Sequence, residues 1–465
     1  MEHFIYRYKK DKILLQTVFI YPNTYFIGMS SLGFQFAYHK INENPEILCE
    51  RAFLDSRREN NFVTIESNRN ITEFPILFFS ISYEPDLLNM IYILKTSGIE
   101  LLKEKRKKHI IIVGGIAVPL LKNYLKFIAD VIVCSPAEYA FKKIIPMLLE
   151  CKDKDIILDK LQNIHGIYVS EKIKNDELKY YQPEGSCEIA HSAIISEDTE
   201  FSSRALIEIS KGCLFRCRFC LVSNMYGRYI AHPKSEILKI AEKYKGKTNR
   251  IGLIAATLSN HPNFKEIIKE LNKMNFILSF SAFRIEGLDN ELLELILKNE
   301  NKTLVIAPET GSERLKRLIN KNISESTIIN ITERAFRLGL KRLKLYFMVG
   351  FPGEDVSDLD AIIKLVRKLR EISLEHSKNL HYIPEFIIDI NPLVPKPFTE
   401  FQGYPFEEIK ILKEKIIYLK KNLRKLGRTF VYGESPKSAF LQYRLSHGLI
   451  DFEEVLRLVE ETREN

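Results

Sequence analysis

Short apolar runs alternate with longer amphipathic stretches along most of the chain, and no other feature constrains its fold as much. The run Ile110-Ile111-Ile112-Val113 is the plainest case. It is β-branched throughout and stops at Gly114-Gly115. A strand apolar at every position is buried on both faces, as in a parallel sheet covered by helices. Strands that alternate with helices predict α/β architecture. The pattern predicts early strands at Ile13–Ile20, Ile76–Ser82, His109–Gly114 and Val131–Cys134. It predicts helices at Ser31–Asn42, Pro85–Thr96, Pro119–Phe127 and Ala137–Leu149. Residues 1–150 are therefore expected to form a small, doubly wound domain around a parallel sheet.

Residues 151–204 are less regular and are expected to be a linker. Within them, Gly166–Val169 and Leu178–Tyr181 predict a hairpin across a charged turn. A second alternation follows over residues 205–405. Its strands are predicted at Leu206–Ser210, Ile251–Ala256, Ile277–Phe283, Leu304–Ala307, Leu343–Val349 and Phe386–Ile390. Helices fall between them, at Lys234–Tyr244, Phe264–Lys273, Asn290–Lys298, Ser324–Leu338 and Ser357–Ile372. Six strand–helix units predict a partial (β/α)6 barrel, with its site at the C-terminal ends of the strands. Residues 406–465 are expected to be a charged, helical tail. At 465 residues with 28% charged and 45% hydrophobic side chains, the chain has ample core and is not a disordered protein.

Three of the seven cysteines, Cys213, Cys217 and Cys220, fall within eight residues just after the first predicted barrel strand. Their spacing is C-x3-C-x2-C. Seven cysteines are too few for a disulfide scaffold, and an odd number cannot pair completely. Three thiolates on a compact loop can hold three irons of a cubane cluster. The fourth iron then has no protein ligand, and an open position is what a catalytic metal needs. Structural zinc wants four ligands. No cysteine follows Cys220, and His232 and His261 stand at no zinc-finger spacing. Spacing alone leaves two alternatives, an incidental cysteine cluster or a zinc loop completed by a distant ligand.

With Phe219 just before its last cysteine, this loop resembles that of the radical S-adenosylmethionine (radical SAM) superfamily. The resemblance implies a 4Fe–4S cluster on Cys213, Cys217 and Cys220 that binds and reductively cleaves SAM. The product is a 5′-deoxyadenosyl radical, which acts on an unknown substrate. Phe219 is then a cofactor contact. The resemblance continues after successive strands. Ala255, Ala256 and Thr257 stand where relatives often carry Gly-Glu-Glu, so the acidic form of that segment is absent. Ser281 and Arg284 fit a Ser-x-x-Arg segment that meets SAM, and a guanidinium suits its carboxylate. Glu309 and Thr310 open a turn into a helix, where Glu309 can accept from ribose hydroxyls. Val349 and Pro352 lie in a turn resembling the adenine-binding one. No catalytic residue acting on the substrate is assigned.

Four segments, Gly28–Gly33, Val113–Gly115, Ala307–Arg314 and Val394–Gln402, resemble uncharacterised radical SAM proteins with a cobalamin-binding-like N-terminal domain. Such a domain is flavodoxin-like, and cobalamin becomes a candidate cofactor. The Asp-x-His-x-x-Gly motif that supplies a lower histidine ligand is absent, and His39 is expected on a helix surface. A cobalamin-dependent methyltransferase is one alternative function. Methylthiotransferases use three N-terminal cysteines for a second cluster. Here Cys49, Cys134, Cys151 and Cys187 are scattered, and the first two are expected in the core. A third function class, an RNA-binding or assembly protein with a structural cluster, rests on the +9 net charge and the basic run Lys103–Lys108. Most such runs are solvated faces, and nucleic acid is not supported as a partner. The first residues show no secretory pattern, and no apolar run reaches the ~20 residues of a membrane span. A cytoplasmic protein is expected, with a low-potential flavodoxin or ferredoxin as its electron donor.

Overall fold

The computed structural model describes residues 2–10, 12–58, 61–170, 178–185, 187–225, 228–281, 283–298 and 302–464. The chain divides into two compact units, residues 1–205 with 444–465, and residues 206–443.

The first unit is built on a six-stranded sheet. Its spatial order is Ile47–Phe53, Leu15–Tyr21, Ile76–Ser80, Ile110–Gly114, Val131–Val133 and Ile167–Val169. The first five strands are parallel and the sixth is antiparallel. With strands numbered along the chain the order is 2-1-3-4-5-6, the flavodoxin-like doubly wound arrangement. The four helices expected here are present, with a 3-10 turn at Val118–Leu121 leading into Lys122–Ile128. Ile111 and Val113 are fully buried, as their composition requires. Gly115 follows at φ +124°, and a Cβ there would stand 2.2 Å from the Ile81 carbonyl oxygen. Only glycine closes that turn.

Several expectations are corrected. The strand Ile47–Phe53 was not predicted, because Glu50 and Arg51 interrupt its apolar pattern. Both are buried, and Arg51 pairs with Glu2 and Glu66 at 2.7 Å each. Residues 151–204, expected as a linker, supply the sixth strand and a short ribbon in which Ile194–Ser196 pairs with Glu2–Phe4. Ile167–Val169 pairs with Val131–Val133 instead of Leu178–Tyr181, which forms no strand. The expected turn over 171–177 lies outside the described residues. His39 is only 4% exposed, not on a surface. Its Nδ1 is hydrogen-bonded to the Tyr8 hydroxyl at 3.0 Å and its Nε2 faces Glu43 at 3.2 Å. The basic run is not all solvated face either: Lys103 and Arg106 are buried. Cys49 and Cys134 are core residues. The last helix, Phe452–Glu464, belongs to this unit and ties Glu460 to Lys95 at 2.7 Å.

The second unit carries the barrel strands in two runs. Ala205–Glu208, Arg250–Ile254 and Ile277–Phe280 form the first. Thr303–Glu309, Arg342–Val349, Glu385–Pro392 and Thr429–Tyr432 form the second, all parallel. A parallel bridge between Phe283 and Ile306 joins the two. All six expected strands are present. Thr429–Tyr432 is an unpredicted seventh, inside a segment expected to be helical. The alternation of Arg342–Val349 shows how the wall works. Leu343, Leu345, Phe347 and Val349 are fully buried against helices, while Lys344, Tyr346 and Met348 are half-buried on the other face. Among the described residues, no helix is long and apolar enough to cross a membrane.

Candidate cluster and cofactor site

The three clustered cysteines lie on the loop that follows the first barrel strand, and all are free thiols. Gly212 enters the loop at φ +73°, where a Cβ would stand 2.7 Å from the Arg228 carbonyl oxygen. The loop is then fastened from both sides. The Cys220 amide donates to the Cys217 carbonyl at 3.0 Å, and the Asn224 side chain donates to the Cys220 carbonyl at 2.7 Å. The Arg218 amide donates to Ile319 O at 3.1 Å, and Asn320 Nδ2 to Arg216 O at 2.7 Å. These bonds hold the loop against the end of the helix Glu313–Leu318. Phe219 packs half-buried against an apolar cluster of Leu315, Ile319, Phe351, Leu393 and Phe401. Among the described residues, no three His, Cys, Asp or Glu side chains are gathered to hold a single metal ion.

Cys217 is the buried thiol of the three. Burial pushes its pKa up, and Lys321 and Arg284 pull it back. Arg284 Nη1 lies 3.6 Å from Cys217 Sγ, 67 positions away in the chain. The same guanidinium stacks on Phe215, 3.5 Å from the ring centre, and pairs with Glu286 at 3.0 Å. Its side chain is therefore fixed before any ligand arrives.

Glu309 ends the fourth barrel strand at φ +65°, after a shift in register against the fifth. It is buried and accepts from Lys321 Nζ at 2.6 Å. Burial raises its pKa, and Lys321 and Arg284 act against that rise. Lys321 was missed by sequence reasoning. It is one of 69 Lys and Arg residues, and no local motif marks it. Only the return of the chain after Glu313–Leu318 brings it to Glu309.

The remaining expected residues divide into two groups. Thr257 is buried and its hydroxyl has no hydrogen-bond partner among the described residues, while Ala256 beside it is exposed. Ser281 is already engaged: its hydroxyl donates to the Ala255 carbonyl at 3.1 Å and tethers the ends of two strands. Thr310 is fully buried, and its hydroxyl accepts from the Ser312 amide at 3.1 Å. Val349 is fully buried, and its carbonyl accepts from the Leu393 amide at 2.8 Å. Pro352 is half-buried in the turn beyond it. Ser281, Thr310 and Val349 are thus framework in their side chains.

A sequence model described as radical SAM proteins, N-terminal, matches residues 33–170, and one for the radical SAM superfamily matches residues 207–366. The chain is 28% identical over 446 residues to an uncharacterized protein of Methanocaldococcus jannaschii, covering 94% of this chain and 89% of that protein. It is 25% identical over 298 residues to the ribosomal protein uS12 methylthiotransferase RimO of Acetivibrio thermocellus, covering 60% of this chain and 64% of the other. Among solved structures it is similar to the cobalamin-dependent S-adenosylmethionine radical enzyme OxsB with aqua-cobalamin and S-adenosylmethionine bound. There the TM-score is 0.58 at 13% identity, over 92% of this chain and 65% of that one. This chain spans less than two thirds of the length of both the methylthiotransferase and the OxsB structure.

Proposed function

The chain belongs to the radical SAM superfamily, and from that premise we propose that Cys213, Cys217 and Cys220 hold three irons of its 4Fe–4S cluster. Held on these thiolates and reduced, such a cluster would supply one electron for the reductive cleavage of SAM to methionine and a 5′-deoxyadenosyl radical. The observation that carries the residue assignment is the approach of Arg284 to the buried Cys217 thiol, at 3.6 Å. Two separately predicted site residues meet there.

The donor set suits the group. Three free thiols on a braced loop offer ligands, and two cations beside Cys217 offset their negative charge. Arg284, fixed by Phe215 and Glu286, is assigned to the SAM carboxylate, which its fork can take bidentately. Lys321 is the second cation of the same corner. Glu309 is assigned to the ribose hydroxyls, with the Thr257 hydroxyl as a further polar contact. A buried hydroxyl with no partner has a place for one. The Ala255 and Ala256 backbone and the turn around Val349 and Pro352 frame the remaining walls. The electron donor is proposed to be a low-potential flavodoxin or ferredoxin in the cytoplasm.

Anaerobic iron–sulfide reconstitution, followed by SAM and dithionite, tests the assignment. The wild-type chain should form 5′-deoxyadenosine. Cys217→Ala should retain only background iron and acid-labile sulfide. A reducible cluster that yields neither 5′-deoxyadenosine nor cobalamin-linked methyl transfer refutes the enzyme reading.

A second reading, a cobalamin-dependent methyltransferase, is favoured by the first unit. Its sheet has the doubly wound order, and the Gly114-Gly115 turn opens at the strands' C-terminal edge, where such sheets take ligands. Equilibrium binding of hydroxocobalamin to the full chain decides it, and no binding removes it. The isolated 1–150 segment is unsuitable, because the first unit also uses residues 151–205 and 444–465.

A further inference from the structure

The turn Gly350–Glu354 follows the fifth barrel strand, and it is braced by residues outside the segment that the superfamily model spans, 207–366. Glu354 folds back so that Oε2 accepts from the Gly350 amide at 2.7 Å. Lys415, on the helix Ile409–Leu423, donates to the same oxygen at 2.8 Å. Its ammonium also reaches both oxygens of Glu407, at 2.8 and 2.9 Å. The Glu354 side chain is 1% exposed and that of Lys415 11%. One buried cation therefore serves two carboxylates, and one of those carboxylates holds the turn. The helix stands close to the turn: at Gly350, φ +94°, a Cβ would lie 2.9 Å from Leu412 Cδ2 and 3.4 Å from Glu407 Oε2.

We propose that Lys415, bridging Glu407 and Glu354, is a positioning residue that sets the Gly350–Glu354 turn for the adenine end of SAM. The inference rests on the reading of Val349 and Pro352 as cofactor contacts. Burial pushes the Glu354 carboxyl up in pKa, and Lys415 and the Gly350 amide pull it back. Without Lys415 the carboxylate has only one backbone donor in a buried place, an arrangement that a charged group does not sustain. It must protonate or swing out, and the turn loses its tie to the helix in either case. The cysteine loop is fastened elsewhere, at Ile319 and Asn320, and keeps its shape. The tail helix is then part of the cofactor site's support rather than an appendage.

The test uses the full, cluster-loaded chain. SAM is titrated against the electron paramagnetic resonance signal of the reduced cluster, and 5′-deoxyadenosine formation is followed in parallel. Lys415→Met should raise the Kd and KM for SAM about tenfold, equivalent to ~1.4 kcal/mol, with iron content and kcat little changed. Lys415→Arg should restore wild-type affinity. The triple variant Lys415→Met/Glu354→Gln/Glu407→Gln removes the tie without leaving either carboxylate unpaired, so it folds even where Lys415→Met does not. It should show the same loss. A lowered melting temperature with unchanged SAM affinity in either variant overturns the inference and leaves Lys415 a structural residue. Failure of the loaded wild-type chain to bind SAM overturns the cofactor reading itself, and this inference with it.

Discussion

Arg106→Met separates two meanings of the basic run at 103–108. Arg106 is 3% exposed. Its Nη2 donates to Asp130 Oδ2 at 2.8 Å and also to the Ile128 carbonyl. Its Nη1 donates to the Glu100 and Leu101 carbonyls at 2.8 and 3.0 Å. Asp130 is 3% exposed and also accepts from the Ile111 amide at 2.8 Å, on a central strand. Removing the guanidinium leaves that carboxylate with Lys154, at 2.7 Å, as its remaining cation. Breaking a buried pair from one side costs about 3–5 kcal/mol. Lys154 offsets part of that, which places the loss near ~3 kcal/mol. For a unit of this size ~1 kcal/mol moves Tm by about 2–4 °C, so a fall of roughly 6–12 °C is expected. The assay is thermal unfolding of the full chain by differential scanning calorimetry, read on the transition of the first unit. Lys105→Gln/Lys107→Gln removes two exposed charges from the same run and should stay within about 0.5 kcal/mol of wild type. An unchanged melting temperature for Arg106→Met would refute the reasoning, as would an equal loss in the exposed pair.

Two further outcomes follow from buried charges. Asp86 is 1% exposed, accepts from Asn23 at 2.9 Å, and has no partner for Oδ2. Burial, with Glu84 adding to it, pushes its pKa from 3.8 to about 7. The folded chain thus holds a proton that the unfolded chain has released, so this group's contribution to stability falls as pH rises from 3.8 to about 7. Asp86→Asn should lose less melting temperature than wild type between pH 5 and pH 8, and equal losses would contradict this. Among the described residues Arg370 has only neutral acceptors, Pro384 O at 2.7 Å, Arg428 O and Thr429 Oγ1 at 3.1 Å and Ser373 Oγ at 3.3 Å, with the Phe386 ring centre at 3.7 Å. Arg370→Leu should speed hydrogen exchange of the Thr429–Tyr432 amides, and unchanged protection there would show that the edge strand does not depend on it.

What the sequence made legible is what local pattern determines. Ile110–Gly114 is recognisable because burial on both faces leaves no polar position in it. Ile47–Phe53 is the counter-example in the same sheet. Glu50 and Arg51 read as solvent-facing, yet Arg51 is buried because Glu2 and Glu66 arrive from distant parts of the chain. Thr429–Tyr432 is only four residues long within a charged segment, and its anchor, Arg370, lies 59 positions away. The cysteine triad was legible because three thiols on one loop are close in sequence. Lys321 was not, because its partnership with Glu309 is made by chain return and not by spacing.

The same distinction explains how the site divides its polar groups. Ser281 and Thr310 hydroxyls are used by main-chain groups, so those side chains shape the strand ends and leave recognition to others. On the proposed assignment, polar recognition then falls on Arg284, Lys321, Glu309 and the Thr257 hydroxyl. Glu309 pairs with the buried Lys321 ammonium at 2.6 Å and fixes its position. Glu309 can do so only from an unusual backbone. A register shift between Ile306 and Glu309, with φ +65° at the strand's end, re-aims a side chain that regular alternation would have placed elsewhere. Left-handed geometry in a residue with a Cβ is costly and persists only where its surroundings enforce it. Here the ion pair holds the re-aimed side chain, so the backbone at Glu309 and the position of Lys321 belong to one arrangement.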